Sequence, residues 1–184
     1  RDFLLSGALA TAFSRSGAFA EEPKQIPDTE KRRGDIEQEL VASRTEDNIE
    51  QAGLLLSPAD PSKQSVAIVW IHGASANFYH PSYLAIGKAA ASLGYTFILG
   101  NTRMHDIGCV LADHPDGAVW GGTFWGLPSK EPLDVDGWVR FAGSRGFRSI
   151  AVVGHSAGGA AVRRYMAERP GKNVVGWVQA SVGL

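Results

Sequence analysis

Residues 149–159 read Ser149-Ile150-Ala151-Val152-Val153-Gly154-His155-Ser156-Ala157-Gly158-Gly159. Ile150 to Val153 is a short apolar run that reads as a strand. The pentad Gly154-His155-Ser156-Ala157-Gly158 follows at once, and small residues then open an amphipathic stretch running to Arg169. A strand that turns directly into a helix leaves Ser156 on the corner, with its side chain presented beyond the sheet. Glycines at 154 and 158 suit that corner because a larger side chain would crowd it. The free N–H groups of the helix start point toward any anion formed beside the serine.

Upstream, Val66-Ala67-Ile68-Val69-Trp70-Ile71 is apolar without alternation, as expected of a strand covered on both faces, and predicts a central strand; His72-Gly73-Ala74 follows it. Residues 82–93 place Tyr83, Ile86, Ala90 and Leu93 at helical spacing, closed by Gly94. Tyr95–Leu99 reads as a strand, 134–144 as a helix, 157–169 as a helix and 174–180 as a strand, while Gly53–Leu56 reads as an edge strand. Short apolar runs alternating with amphipathic ones predict an α/β chain with a doubly wound, mostly parallel sheet.

Acyl transfer needs a nucleophile and two fixed N–H donors where negative charge develops. Ser156 is the candidate nucleophile, and the backbone N–H groups of Ala157 and Ala74 are the candidate oxyanion donors. His72 and Gly73 are expected to shape the loop, His72 through hydrogen bonds and Gly73 by a backbone path that other residues resist. Gly154, His155 and Gly158 are expected to support the corner. A long irregular segment, 101–132, carries Trp120, Phe124 and Trp125 among glycines. These aromatics suit a pocket wall or lid over an apolar substrate group, or simply an anchor of the loop on the core. His105, Asp106 and His114 lack a recognised metal-ligand spacing, so no metal is expected. Asp134 and Asp136 stand where carboxylates cap a helix start.

Three stretches together, Val69-Trp70-Ile71-His72-Gly73, Asn101-Thr102-Arg103-Met104-His105-Asp106 and Val153-Gly154-His155-Ser156-Ala157-Gly158-Gly159, resemble the α/β-hydrolase superfamily from about Gly53 onward. The resemblance implies a serine hydrolase of the esterase type, acting on a small carboxylic ester through an acyl-enzyme at Ser156 and needing no cofactor. It also implies an order of nucleophile, acid, histidine along the chain. The 28 residues after Ser156 contain neither His nor Asp, and their sole carboxylate is Glu168. The five histidines, at 72, 80, 105, 114 and 155, all precede the nucleophile. The expectation is therefore a sheet of the α/β-hydrolase type lacking its carboxy-terminal strands and helices, with acid and histidine beyond residue 184 and little activity in the 184 residues themselves. The competing expectation is a non-catalytic ligand-binding protein on the same scaffold.

Across 184 residues, 18 basic side chains face 19 acidic ones, which leaves no electrostatic footprint for nucleic acid. No apolar run reaches the roughly 18 residues of a membrane-spanning helix. Cys109 stands alone, so no internal disulfide is available. Residues 3–13 form an apolar stretch behind Arg1, and Ala18-Phe19-Ala20 follows the small-x-small pattern of a cleavage site. Residues 1–20 thus read as an export signal, with a twin-arginine route as one candidate, and the protein as periplasmic or secreted. Residues 21–47 are charged and carry prolines, which predicts a linker or arm, and residues 48–184 form the partial hydrolase domain.

Overall fold

The computed structural model describes residues 36–60, 66–111 and 119–181. The expected export signal, the first part of the expected arm, and Asp113 and His114 lie outside the described residues. In chain order the elements are β1 (Ile36–Arg44), β2 (Glu50–Pro58), β3 (Ala67–Ile71), α1 (Pro81–Ser92), β4 (Thr96–Gly100), β5 (Cys109–Leu111), β6 (Val119–Gly121), α2 (Glu131–Ser144), β7 (Ile150–His155), α3 (Ala157–Glu168) and β8 (Val174–Ala180).

The main sheet runs β1-β2-β4-β3-β7-β8. β4, β3, β7 and β8 are parallel, while β1 and β2 add an antiparallel margin. The two apolar runs read as strands lie side by side, Val69 opposite Val152 and Ile71 opposite Gly154. The lack of alternation in β3 has a direct cause, since both faces of the sheet are covered there. Ala67, Val69 and Ile71 join Ile150, Val152 and the buried faces of α2 and α3 in one core cluster, whereas Trp70 joins Phe97, Leu99 and Tyr83 of α1 in the other. Each buried Val, Leu or Ile contributes about 1.5–3 kcal/mol. Trp138 of α2 is wholly buried and donates its indole N–H to the Asn101 carbonyl at 2.7 Å.

Four expectations need correction. Residues 36–44 are no arm: all nine pair with β2 as an edge strand. The segment read as polar because its side chains are mostly solvated, which is how an edge strand keeps other chains off. β2 is consequently interior and longer than Gly53–Leu56. On α1 the buried residues are Tyr83, Gly87 and Ala91, while Ile86 and Leu93 face outward. The small residues win because the helix lies close on Leu56 and Phe97, where a Cβ at 87 would meet both side chains. Finally, 101–132 is not wholly irregular: β5 and β6 form a separate two-stranded hairpin, and α2 begins at Glu131 after a 3-10 turn, Pro128–Lys130.

The described residues all belong to one compact unit. No helix among the described residues is long and apolar enough to cross a membrane.

Candidate active site

Ser156 stands between the last residue of β7 and the first of α3 with φ 51° and ψ −120°. A positive φ costs a side-chain-bearing residue of order 1–3 kcal/mol, and it persists where surrounding structure over-determines it. Two backbone bonds do so: the Ser156 N–H donates to the Ala180 carbonyl at the end of β8 (2.8 Å), and its carbonyl accepts the Gly159 N–H (2.9 Å). The corner also requires close packing below it. A Cβ on Gly158 would run into the backbone carbonyls of His72 and Ile71, and one on Gly154 into the backbone of Gly158.

The loop after β3 passes directly beside the serine. A Cβ on Gly73 would lie 3.1 Å from the Ser156 Cβ and 3.0 Å from the His155 Nδ1. Close approach, not an unusual φ, is therefore what favours glycine at 73; its φ is not among the positive ones. Ala74 and Ala157 are both exposed, and among the described residues neither of their N–H groups meets an acceptor.

His72 is buried with both ring nitrogens occupied. Nδ1–H donates to the Gly73 carbonyl (2.8 Å), and Nε2 accepts the Thr102 N–H (3.0 Å). Burial pulls its pKa down to about 4, so it is neutral at physiological pH and has no lone pair left for a base. It ties the loop after β3 to the turn after β4. His155 is held elsewhere, its Nδ1 2.8 Å from the Tyr83 hydroxyl and its ring stacked on Trp70. His80 precedes α1 and is exposed. His105 Nδ1 meets the neighbouring Asp106 carboxylate at 2.8 Å, and Asn77 holds the other carboxylate oxygen. Burial pushes the Asp106 carboxyl up, but the Asn77 and His105 hydrogen bonds leave it net below the ordinary carboxylate value. No described hydrogen bond or ion pair joins a histidine or carboxylate side chain to the Ser156 side chain.

The aromatic segment is pinned to this loop. The Thr123 hydroxyl oxygen accepts the Ser75 N–H (2.7 Å) and the hydroxyl donates to the Asp106 carbonyl (3.0 Å), while the Asp106 N–H donates to the Ala76 carbonyl. Trp125 packs against Trp120 and Phe124, with all three rings more than half exposed. They thus project from a segment whose anchor is one residue from Ala74. Cys109 is half-buried, and burial raises its pKa.

Sequence reasoning missed a buried ionic cluster beneath the turn after β4. Arg103 reaches Asp134 (2.9 Å) and Asp47 (2.9 Å), and its backbone N–H also donates to Asp134. Asp134, expected to cap a helix, instead neutralises this arginine at zero exposure. Asp136 pairs with Arg140 one turn on. The available signal was Arg103 itself, a charge three residues after the end of the fully buried strand β4. Such a charge needs a partner, but spacing does not say which. Among the described residues, no three His, Cys, Asp or Glu side chains come together as a metal site needs.

This strand order, with the serine corner after β7 and the facing loop after β3, is the α/β-hydrolase fold. Solved structures of that fold superimpose on most of the chain. An esterase of Pyrococcus furiosus is similar over 80% of this chain and 51% of its own, at 20% identity and a TM-score of 0.61. Brefeldin A esterase, a bacterial homologue of human hormone sensitive lipase, is similar over 82% and 41% at 20% identity and 0.58. An α/β-hydrolase of a Penicillium species gives 79% and 46% at 16% identity and 0.61. The chain thus spans about half the length of the structures it resembles. By sequence it matches no protein-family model and no curated protein.

Proposed function

We propose that the chain carries the nucleophile and oxyanion portion of a serine esterase. Ser156 attacks the carbonyl of a small carboxylic ester, and the N–H groups of Ala74 and Ala157 receive the oxyanion. The observation that carries this reading is the strained backbone of Ser156 beside Gly73, where no side chain fits without pressing on the serine, with the exposed residues Ala74 and Ala157 following each. Trp120, Phe124 and Trp125 form an apolar wall for the acyl or alcohol group. Esterase chemistry among the structural neighbours supports the reading. Neither His72 nor His155 serves as the general base in this reading, since the ring nitrogens of His72 are both bonded and His155 is held by Tyr83.

The experiment is turnover of p-nitrophenyl esters and fluorophosphonate labelling of the full-length protein, alongside Ser156→Ala. Turnover and labelling that both vanish in the variant support the proposal. Labelling that survives the substitution, or an intact protein that binds esters without turning them over, favours a ligand-binding role instead.

A further inference from the structure

β3 and β7 are held together by ladder bonds only as far as Ile71 and Gly154. Beyond those residues the two chains diverge into the loop with Ala74 and the corner with Ser156. Among the described residues one side chain bridges the gap, the hydroxyl of Tyr83 on α1. It accepts the Gly73 N–H at 3.2 Å and lies 2.8 Å from the His155 Nδ1. Gly73 is one residue before Ala74, and His155 is two before Ala157.

The proton count sets the direction of these bonds. The Gly73 N–H is always the donor, so Tyr83 accepts there. Tyr83 is buried. If His155 also donated from Nδ1, the single hydroxyl proton would be left without a partner in the interior, at the cost of an unsatisfied donor. The satisfied arrangement has Tyr83 donating to Nδ1 and His155 carrying its own proton on Nε2. Aromatic packing holds both ends in place. Trp70 lies 5.2 Å from the Tyr83 ring and stacks on His155 at 6.3 Å with an interplanar angle of 11°.

We propose that Tyr83 is a positioning residue that fixes the spacing between the oxyanion loop and the nucleophile corner through this relay of Gly73 N–H, Tyr83 hydroxyl and His155 Nδ1. The inference rests on the esterase reading above. Tyr83 does not touch substrate; it sets the separation of the two N–H donors, which the transition state reads within fractions of an ångström. Replacement by phenylalanine keeps the ring against Trp70 and deletes only the bridge.

The test uses the full-length protein in two arms. The first needs no activity: nitrogen NMR of the imidazoles shows His155 protonated on Nε2, and Tyr83→Phe shifts the amides of both Gly73 and Ala157. A His155 protonated on Nδ1, or shifts confined to α1, overturns the proposal. In the second arm, on p-nitrophenyl acetate, Tyr83→Phe lowers kcat by about 10- to 100-fold with KM within about twofold. His155→Gln lowers kcat too, and the double variant is no worse than the poorer single one, since both delete the same bridge. An unchanged kcat in Tyr83→Phe overturns the inference. Full turnover by Ser156→Ala instead overturns the esterase reading, and the first arm then still decides whether the bridge exists.

Discussion

At the residue scale, the corner around Ser156 makes sharp demands on its neighbours. Gly158 has no room for any side chain, since the His72 carbonyl occupies the Cβ position. Gly158→Val should lower stability by about 1–3 kcal/mol or more, read as a fall in the urea midpoint. Gly73→Ala is a milder insult: its Cβ would sit 3.0–3.1 Å from His155 and Ser156, so those neighbours must give by tenths of an ångström. Its effect should fall on turnover more than on folding, with kcat/KM lower by about tenfold and a nearly unchanged melting temperature. Ser156→Ala should remove about 10⁴- to 10⁶-fold of ester turnover in the full-length protein. Ser156, Gly154 and Gly158 were legible because the constraint on them is local, a tight turn between a strand and a helix. Tyr83 was not legible. Its hydroxyl meets Gly73 and His155 only when α1 is laid across the ends of two strands, 10 and 72 residues away in the chain.

At the element scale, the start of α2 is an electrostatic junction. Burial, reinforced by nearby Asp134, raises the Glu131 carboxyl from 4.5 to about 8, and burial raises Asp134 to about 6 against the pull of Arg103. A carboxyl whose pKa is higher folded than unfolded binds more protons in the folded state between the two values. Its contribution to stability is present in acid and is lost as pH rises, for Glu131 from about 4.5 through about 8. Glu131→Gln should therefore change little at about pH 5, stabilise by on the order of 1–3 kcal/mol at about pH 9, and flatten the pH dependence of the melting temperature. Asp134→Asn works in the opposite direction. It leaves the buried Arg103 with Asp47 as its remaining carboxylate and should cost about 3 kcal/mol in chemical denaturation. Periodicity revealed where α2 and α3 run, but not which α1 face is buried. A stripe of large apolar residues competes there with a stripe of small ones, and the close approach to Leu56 decides for Gly87 and Ala91.

At the scale of the whole molecule, the six-stranded sheet has two margins of different character. β1 presents charged and polar side chains, with Glu39 bonded to Arg145. β8 pairs among the described residues with β7 alone and exposes Val175, Trp177 and Val178. A bare apolar edge invites pairing. The 184-residue chain should self-associate as concentration rises, seen by light scattering, and Val178→Lys should suppress it. The sequence by itself determined the α/β alternation, the parallel centre, the serine corner and the loop that faces it, because strand burial and tight turns leave local signatures of residue size and polarity. It misjudged residues 36–44, since a solvated edge strand has the composition of a linker until a partner strand is present. Only the tertiary structure decided that β2 is interior, that Asp134 serves Arg103, and that the Tyr83 hydroxyl meets both Gly73 and His155. Each of these depends on contacts between residues far apart in the chain, where the free energy comes from burying and pairing groups that no spacing rule brings together.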